Sequence, residues 1–200
     1  MIRFAIKTDS STLAKLHYDT LTTSFLAGLG LDFLGKLYTF LILKEKVWIY
    51  EENNEIKGFV SYSENSAGMM KRFLINCPSC IILLALRIIV KPVNFKRFIE
   101  TFRAPFKSKK TREAKDSFCL PSGELLSISV NPNCQASGIG SQLIKALEEY
   151  LKQNQIYTYK VVAGKELVSA NKFYLKNGFV FATQIKIHSE TLSNVYIKEI

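Results

Sequence analysis

The stretch between residues 125 and 153 constrains the fold more than any other part of the sequence. Leu125–Val130 is a strongly apolar run that predicts a buried strand, and the apolar spacing of Gly138–Gln153 predicts an amphipathic helix. The turn between them reads Gln135-Ala136-Ser137-Gly138-Ile139-Gly140. Glycines let a backbone approach a ligand closely, and the first amides of a helix have no partner within the helix. A strand, a glycine turn and a helix in this order therefore predict a site for phosphate or another anion.

Two other phosphate-binding turns are excluded by the residues of this loop. A Walker loop requires Gly-Lys followed by Ser or Thr, and a dinucleotide fold requires a G-x-G-x-x-G sequence soon after the first strand. Neither is present. A pair of glycines alone equally fits a helix whose glycines only pack closely. The context favours the anion site, because Pro132 follows the strand, Gln135 stands three residues before Gly138, and an amphipathic helix comes next.

The apolar spacing along the rest of the chain predicts a single α/β domain over residues 1–200. Strands are predicted at Ile2–Lys7, Val47–Glu52, Glu55–Glu64, Leu125–Val130, Tyr157–Val162, Phe179–Ile187 and Asn194–Lys198. Helices are predicted from a cap at Asp9 or Ser10 to Leu21, and at Leu31–Leu43, Gly138–Gln153 and about Leu167–Lys176. This order is typical of helices around a mixed sheet, not of a doubly wound sheet. Apolar residues make up 48 % of the chain, which is enough for a sizeable core.

The positive charge of the chain is concentrated in one segment. The formal net charge is +10, and residues 67–115 hold twelve basic residues but only two acidic ones. The rest of the chain is balanced. We interpret residues 65–117 as a basic helical insertion between the third and fourth strands, punctuated by Pro78, Pro92 and Pro105. Such a segment favours an anionic partner, although a run of charge equally fits a solvated face.

The amino terminus and the cysteines bear on compartment and metal binding. Residues 1–9 lack the apolar core of a signal peptide, so we expect a cytoplasmic protein with free thiols. Cys77 and Cys80 have the C-x-x-C spacing of zinc and redox sites. A closed zinc site takes about four ligands, however, and the only histidines, His17 and His188, are far away in the sequence. We therefore predict no metal site. The apolar run Cys80–Val90 is too short for a membrane span of about 20 residues.

Two motifs resemble the signatures of one enzyme family. Gln135-x-x-Gly138-x-Gly140 resembles the (Gln/Arg)-x-x-Gly-x-(Gly/Ala) signature of the GNAT acetyltransferase superfamily. Further along, the segment Ala170–Phe179 resembles the second signature of the family, a helix that ends in F-Y-x-K-x-G-F. Both motifs lie within residues 124–179, and the basic insertion is outside the common pattern of the family.

This resemblance implies a fold and an acyl donor. The fold is a mixed, splayed sheet of about seven strands with flanking helices, and acetyl-CoA lies in the splay. The pantetheine arm is expected to pair with the strand residues Ile128, Ser129 and Val130. The pyrophosphate is expected on the amides of Gln135, Ala136, Ser137, Gly138, Ile139, Gly140 and Ser141. Asn171 is a further candidate for binding the donor, with Ser169 as its alternative.

The resemblance also implies catalytic roles. Acetyl transfer requires that the amine lose a proton and that the departing thiolate be protonated, whereas the thioester is already activated. Tyr174 resembles the family tyrosine that donates a proton to the thiolate; the alternative is an aromatic side chain in the core beside Phe173. Glu124 stands where some members carry a general base, and the alternative is a solvated acid at the end of a strand. His17 would titrate usefully only if it lined the substrate cleft.

The basic insertion bears on the identity of the acceptor. We expect a primary amine on a small, anionic molecule. The layout resembles GNAT members linked to surface-polysaccharide synthesis, which implies a nucleotide-linked amino sugar. Three alternatives stay open: a peptide or protein acceptor, an acetyl-CoA-binding protein without turnover, and a segment that docks on an anionic membrane or nucleic acid. In the docking alternative, aromatic residues lie between the charges, namely Phe73, Phe95, Phe98, Phe102 and Phe106.

Overall fold

The computed structural model describes residues 1–22, 24, 26–81, 120–188 and 191–200. Seven strands of these residues form one sheet in the order β1-β2-β3-β4-β5-β7-β6. Their bounds are β1 Ile2–Phe4, β2 Lys46–Glu52, β3 Glu55–Ser63, β4 Glu124–Val130, β5 Thr158–Gly164, β6 Val180–His188 and β7 Thr191–Glu199. Neighbouring strands are antiparallel except for β4 and β5, which are parallel. The mixed, seven-stranded sheet predicted from the sequence is confirmed.

Helices cover both faces of this sheet. Their bounds are α1 Ser10–Thr20, α2 Leu31–Lys44, α3 Met69–Asn76, α4 Ile139–Gln153 and α5 Val168–Lys176. Side chains alternate along the strands, so Ile49 and Phe59 join the core under α1, α2 and α3. Their neighbours Trp48 and Val60 join the second core, under α4 and α5. The sheet therefore separates two hydrophobic cores.

The amphipathic pattern of α4 determines how this helix packs on β4. Leu143, Ile144, Leu147 and Leu151 are buried, as their spacing predicts. The other face of the helix carries exposed polar residues. Because α4 follows β4 after a short loop, this packing fixes the first turn of the helix at the end of the strand.

The first strand is shorter than the sequence predicts, and Asp9 does not cap α1. A 3-10 turn over Lys7–Asp9 follows β1. The carboxylate of Asp9 accepts the amide of Ile6 at 2.8 Å and pairs with the guanidinium of Arg3, also at 2.8 Å. Arg3 in addition binds Glu51 of β2. The carboxylate of Asp9 is therefore used to join β1 to the turn, and no side-chain bond caps α1.

The basic insertion leaves the sheet and returns to it at one point. The amide of Ser66 donates to the carbonyl of Ser122 at 3.3 Å. The first part of the insertion belongs to the hydrophobic core under α1 and α2, because Phe73 of α3 is fully buried against Phe33 and Phe40 of α2. A helix begins at Pro78. The remaining predictions for the insertion fall on residues 82–119, outside the described residues.

No helix in the described part of the chain is long and apolar enough to cross a membrane.

Candidate active site

The sheet is split between β4 and β5. The two strands pair only at Glu124 with Lys160 and at Leu125 with Val161. β4 continues to Val130 without further pairing on that side. Among the described residues, one edge of β4 therefore lacks a neighbouring strand, and the backbone groups on this edge need other partners. This open edge includes the three residues expected to pair with the pantetheine arm.

A β-bulge marks the point where the split begins. In the pairing of β3 with β4, Ser61 is opposite Ser127 and Tyr62 is opposite Leu125, which leaves Leu126 as the extra residue. Leu126 and Ser127 both face the side of α1 and α2, although successive strand residues normally alternate. A bulge bends the strand that carries it, so the bulge at Leu126 accounts for the divergence of β4 from β5.

The loop after β4 presents unpaired backbone amides. The first hydrogen bond of α4 runs from the amide of Gln142 to the carbonyl of Gly138. Within the described part of the chain, no backbone acceptor meets the amides from Ala136 to Ser141. Ala136 and Gly138 have φ angles of 62° and 85°, and such alternation of handedness turns successive N–H groups toward a common anion site. The positive end of the helix dipole lies directly behind these donors.

Side chains hold this loop in place. Gln135 donates from Nε2 to the carbonyl of Val130 at 3.4 Å, and the hydroxyl of Ser137 donates to the carbonyl of Cys134. A Cβ atom on Gly140 would lie 3.0 Å from the ring of Phe173. Glycine is therefore required at the two positions for different reasons. Gly138 adopts a left-handed backbone conformation, and Gly140 leaves room for the ring of Phe173. The packing interpretation thus accounts for Gly140, and the anion site at the unpaired amides stays a prediction.

Tyr174 is a core residue of α5. Its side chain is 6 % exposed and packs edge-on against Phe173 and Phe179, with ring centroids 5.6 and 5.5 Å away. Burial raises the pKa of Tyr174 well above its usual value, so the hydroxyl keeps its proton at neutral pH. The hydroxyl therefore carries the proton that the predicted role requires, although burial also makes it a weaker acid.

Asn171 belongs to a closed polar cluster. Its Nδ2 donates to the carbonyls of Gly164 and Leu167 at 2.9 and 2.7 Å. Its Oδ1 accepts from Nδ2 of Asn194 at 3.0 Å and from the hydroxyl of Tyr196 at 2.7 Å. Both ends of the amide are thus bonded within the protein. Ser169, its alternative, lies in the first turn of α5 and is exposed.

Glu124 lies at the closed end of the split. Its Oε2 is 3.4 Å from the ammonium of Lys160, and the side chains of the pair are 20 % and 13 % exposed. The Lys160 ammonium also donates to the carbonyls of Pro121 and Ser122, where the insertion returns to the sheet. Glu124 is therefore an ion-paired, half-buried acid and not a solvated one.

A buried polar line that the sequence did not predict lies on the other side of β4. Nδ1 of His17 is 2.7 Å from the hydroxyl of Tyr38, which is 3.3 Å from Oγ of Ser127. Oγ of Ser127 is in turn 2.7 Å from Oγ of Ser61. Nε2 of His17 is 3.0 Å from Oγ of Ser24. Two features of the sequence could have indicated this line. One is a histidine on the apolar face of α1, and the other is the presence of single serines within two apolar strands.

The cysteines in the described part of the chain are free thiols. They are Cys77, Cys80 and Cys134. No group of three or more potential metal ligands occurs among the described residues. The pKa of Cys80 is raised to about 12 by burial, with the thiol of Cys77 adding to the effect. Cys119 falls outside the described residues, as does the side chain of His188.

Comparison with known proteins assigns the fold and the domain. The sequence model of the acetyltransferase (GNAT) domain matches residues 108–181, which contain the split, the glycine loop and α5. No curated protein sequence matches the chain.

Solved acetyltransferase structures share the fold over the whole chain. An N-acetyltransferase from Staphylococcus aureus Mu50 is 16 % identical, with a TM-score of 0.59 over 100 % of this chain and 97 % of that one. PaiA N-acetyltransferase from Thermoplasma acidophilum, in complex with coenzyme A, is 13 % identical, with a TM-score of 0.61 over 100 % and 98 %. Ribosomal-protein-alanine N-acetyltransferase from Brucella melitensis is 14 % identical, with a TM-score of 0.59 over 100 % and 99 %.

Proposed function

We propose that this chain, a GNAT-type acetyltransferase by its domain match and its fold, moves an acetyl group from acetyl-CoA directly to the primary amine of a small acceptor. The observation that carries the proposal is the run of unpaired amides from Ala136 to Ser141 beside the open edge of β4. An anion at these amides and an extended chain along β4 are what the pyrophosphate and the pantetheine arm of one coenzyme A molecule supply. The residues therefore fit this donor.

The proposed roles of the site residues follow from this placement. Ile128, Ser129 and Val130 bind the pantetheine arm along the edge of β4 that β5 does not cover. Tyr174, which keeps its proton, donates it to the departing thiolate. Glu124 is one candidate for the general base, directly or through water, and its carboxylate is ion-paired with the Lys160 ammonium at 3.4 Å. Asn171 supports the site by holding the start of α5 against β5.

A matched pair of charge substitutions tests donor binding. Ser141→Glu places a carboxylate among the free amides, where it competes with the pyrophosphate, and we expect coenzyme A to bind at least about tenfold more weakly by calorimetry. Gln153→Glu makes the same change of charge at the other, exposed end of α4 and should leave the affinity within twofold. Equal affinities for the two variants would remove the loop from the donor site.

A nucleotide-linked amino sugar is the proposed acceptor. Ten of the twelve basic residues of the insertion lie in residues 82–119, and a diphosphate would be recognised by lysine and arginine side chains. Of the other two, Arg72 is bound to Glu45 at 2.8 Å and to two carbonyls, so it serves the fold. Lys71 is exposed.

A peptide amino terminus is the second candidate, favoured by the similar fold of the ribosomal-protein-alanine N-acetyltransferase. Assays with UDP- and dTDP-linked amino sugars, polyamines and short peptides distinguish the classes. Turnover on peptides or polyamines, with none on any sugar nucleotide, would reject the sugar. Binding to anionic vesicles or nucleic acid that disappears with added salt would instead support a docking segment.

A further inference from the structure

The polar line on the α1 and α2 side of β4 points to a path for the proton of the acceptor amine. We propose that Ser127, rather than Glu124, accepts a proton from the attacking amine and passes one through Tyr38 to His17, and from His17 to Ser24. Ser127 is the catalytic residue of this set, because it would contact the amine. Tyr38 and His17 act through it and are positioning and relay residues. The inference rests on the acetyl transfer proposed above.

The position of Ser127 is the first argument. It follows the bulge residue Leu126, at the point where β4 leaves β5. A pantetheine arm that pairs with Ile128–Val130 ends its thioester next to this bulge. Ser127 faces the side opposite the core under α4, and it is half-buried, whereas Ser61 is fully buried. Its hydroxyl is therefore the member of the line nearest to an amine that enters between α1, α2 and the open edge.

The second argument is that the line accommodates two arrangements of its protons. In one, Ser61 donates to Ser127, Ser127 to Tyr38, and Tyr38 to Nδ1 of His17, while Nε2–H of His17 donates to Ser24. In the other, Ser24 donates to Nε2, Nδ1–H donates to Tyr38, Tyr38 donates to Ser127, and Ser61 donates to the carbonyl of Ser127, 3.3 Å away. The same heavy atoms satisfy both arrangements, which is what a relay requires in order to be reset.

The surroundings keep every member of the line uncharged at rest. His17 is 2 % exposed, and burial lowers its pKa to about 4, so the imidazole is neutral at pH 7. Burial raises the pKa of Tyr38 well above its usual value, so its hydroxyl is protonated. Within the described residues, the titratable side chain that contacts the imidazole is Tyr38 of α2, and the other contact is the Ser24 hydroxyl. A neutral imidazole passes a proton by changing its tautomer.

The transfer step balances without an additional reagent. The amine nitrogen forms a bond to the acetyl carbon, and the bond from that carbon to sulfur breaks. The proton lost by the nitrogen goes to Oγ of Ser127, and the original proton of Ser127 moves to the Tyr38 oxygen. The Tyr38 proton moves to Nδ1 of His17, and the proton on Nε2 of His17 moves to Ser24. Ser24 is half-exposed and releases a proton to solvent. Tyr174 supplies the proton that the thiolate gains.

Removal of one hydroxyl tests the relay. Tyr38→Phe keeps the ring in its contact with Phe59, at 5.1 Å between centroids, and breaks the line at its centre. We expect kcat for the best amine of the panel to fall at least about a hundredfold, the lower end for loss of a proton-transfer group, with KM for acetyl-CoA unchanged. The control is Tyr62→Phe, because the buried hydroxyl of Tyr62 has no hydrogen-bond partner in the described residues. Tyr62→Phe should keep wild-type kcat.

A second variant and a second measurement keep the test decisive. If Tyr38→Phe folds poorly, Ser127→Ala at the half-buried end of the line should show the same loss of kcat. We expect a solvent deuterium isotope effect on kcat in the wild type, and this effect should shrink or change in either variant if proton transfer has been altered. Wild-type kcat in both variants, with binding and turnover intact in the wild type, would overturn the relay alone. No turnover of any amine by the wild type would instead overturn the proposed function.

Discussion

Two buried polar clusters lie on opposite sides of the split sheet, and they differ in whether their hydrogen bonds close. The Asn171 cluster, made of Asn171, Asn194 and Tyr196, uses every donor and acceptor of the Asn171 amide within the protein. The His17 line, made of His17, Tyr38, Ser61, Ser127 and Ser24, has the half-buried hydroxyl of Ser127 near one end and the half-exposed hydroxyl of Ser24 at the other. A closed cluster fixes a structure, whereas an open line with a neutral imidazole can pass protons. Substitutions in each should therefore give different results.

The largest effect is expected from opening the closed cluster. Asn171→Ala removes the partner of Asn194 and Tyr196 and leaves the carbonyls of Gly164 and Leu167 without their side-chain donor. We expect the free energy of unfolding to fall by about 3 kcal/mol, the size typical of a broken buried network. Urea denaturation measures it. A loss below about 0.5 kcal/mol would show that the cluster does not stabilise the fold.

The next effect is a pH dependence that belongs to the open line alone. Burial lowers the pKa of His17 to about 4 in the folded protein, from its ordinary value of 6.5, so the unfolded chain binds more protons between these values and stability falls as the pH falls. We expect a loss of about 2 kcal/mol between pH 7 and pH 5. His17→Asn should flatten the curve in this window, whereas Asn171→Ala should lower it without changing its shape. An unchanged slope in His17→Asn would contradict the burial of a neutral imidazole.

A smaller difference separates two buried tyrosines. Tyr38→Phe removes a hydroxyl with two partners and should cost about 1 kcal/mol of unfolding free energy. Tyr62→Phe removes a hydroxyl that is buried without a partner in the described residues, so it should be neutral or stabilising. Thermal unfolding of the two variants side by side gives the comparison. Equal losses would mean that the bonds of the Tyr38 hydroxyl contribute nothing.

The smallest effect is expected at the rim of the closed cluster. Gln184 is exposed, and its Nε2 donates to Oδ1 of Asn194 at 2.9 Å. Because water can replace an exposed donor, Gln184→Ala should cost only about 0.5 kcal/mol. A loss as large as that of Asn171→Ala would show that the cluster extends to the surface. The cluster would then not be closed within the protein, and the comparison with the His17 line would fail.

Features encoded by neighbouring residues were predictable from the sequence, whereas features created by sheet register were not. The strand, the glycine turn and α4 are local, and so is the Asn53-Asn54 turn, where both φ angles are positive. The His17 line, in contrast, assembles residues far apart in the chain. Ser61 meets Ser127 only because β3 and β4 pair in that register, and the bulge at Leu126 sets the register. No periodicity reveals a bulge of one residue in advance.

The same limit applies to single side chains with several possible partners. Asp9 has the right residue type and position to cap α1, but its carboxylate binds Arg3 and the amide of Ile6 instead of the first amides of the helix. Asn171 stands in a family motif, and its position beside β7 gives it partners within the protein. Local pattern determines what a side chain is able to do, and the packing of distant strands determines which option it takes.

The open edge of β4 would make the stability of the folded chain depend on metabolite concentration. Among the described residues, no strand covers this edge beyond Leu125, so a ligand that binds there only in the folded state would add free energy to folding by mass action. A donor at a hundred times its Kd would add about 2.7 kcal/mol to the free energy of unfolding. Under this linkage, a cell that runs low on acetyl-CoA would hold less folded enzyme as well as less substrate, so the supply of acetyl groups would set both the rate and the lifetime of the catalyst.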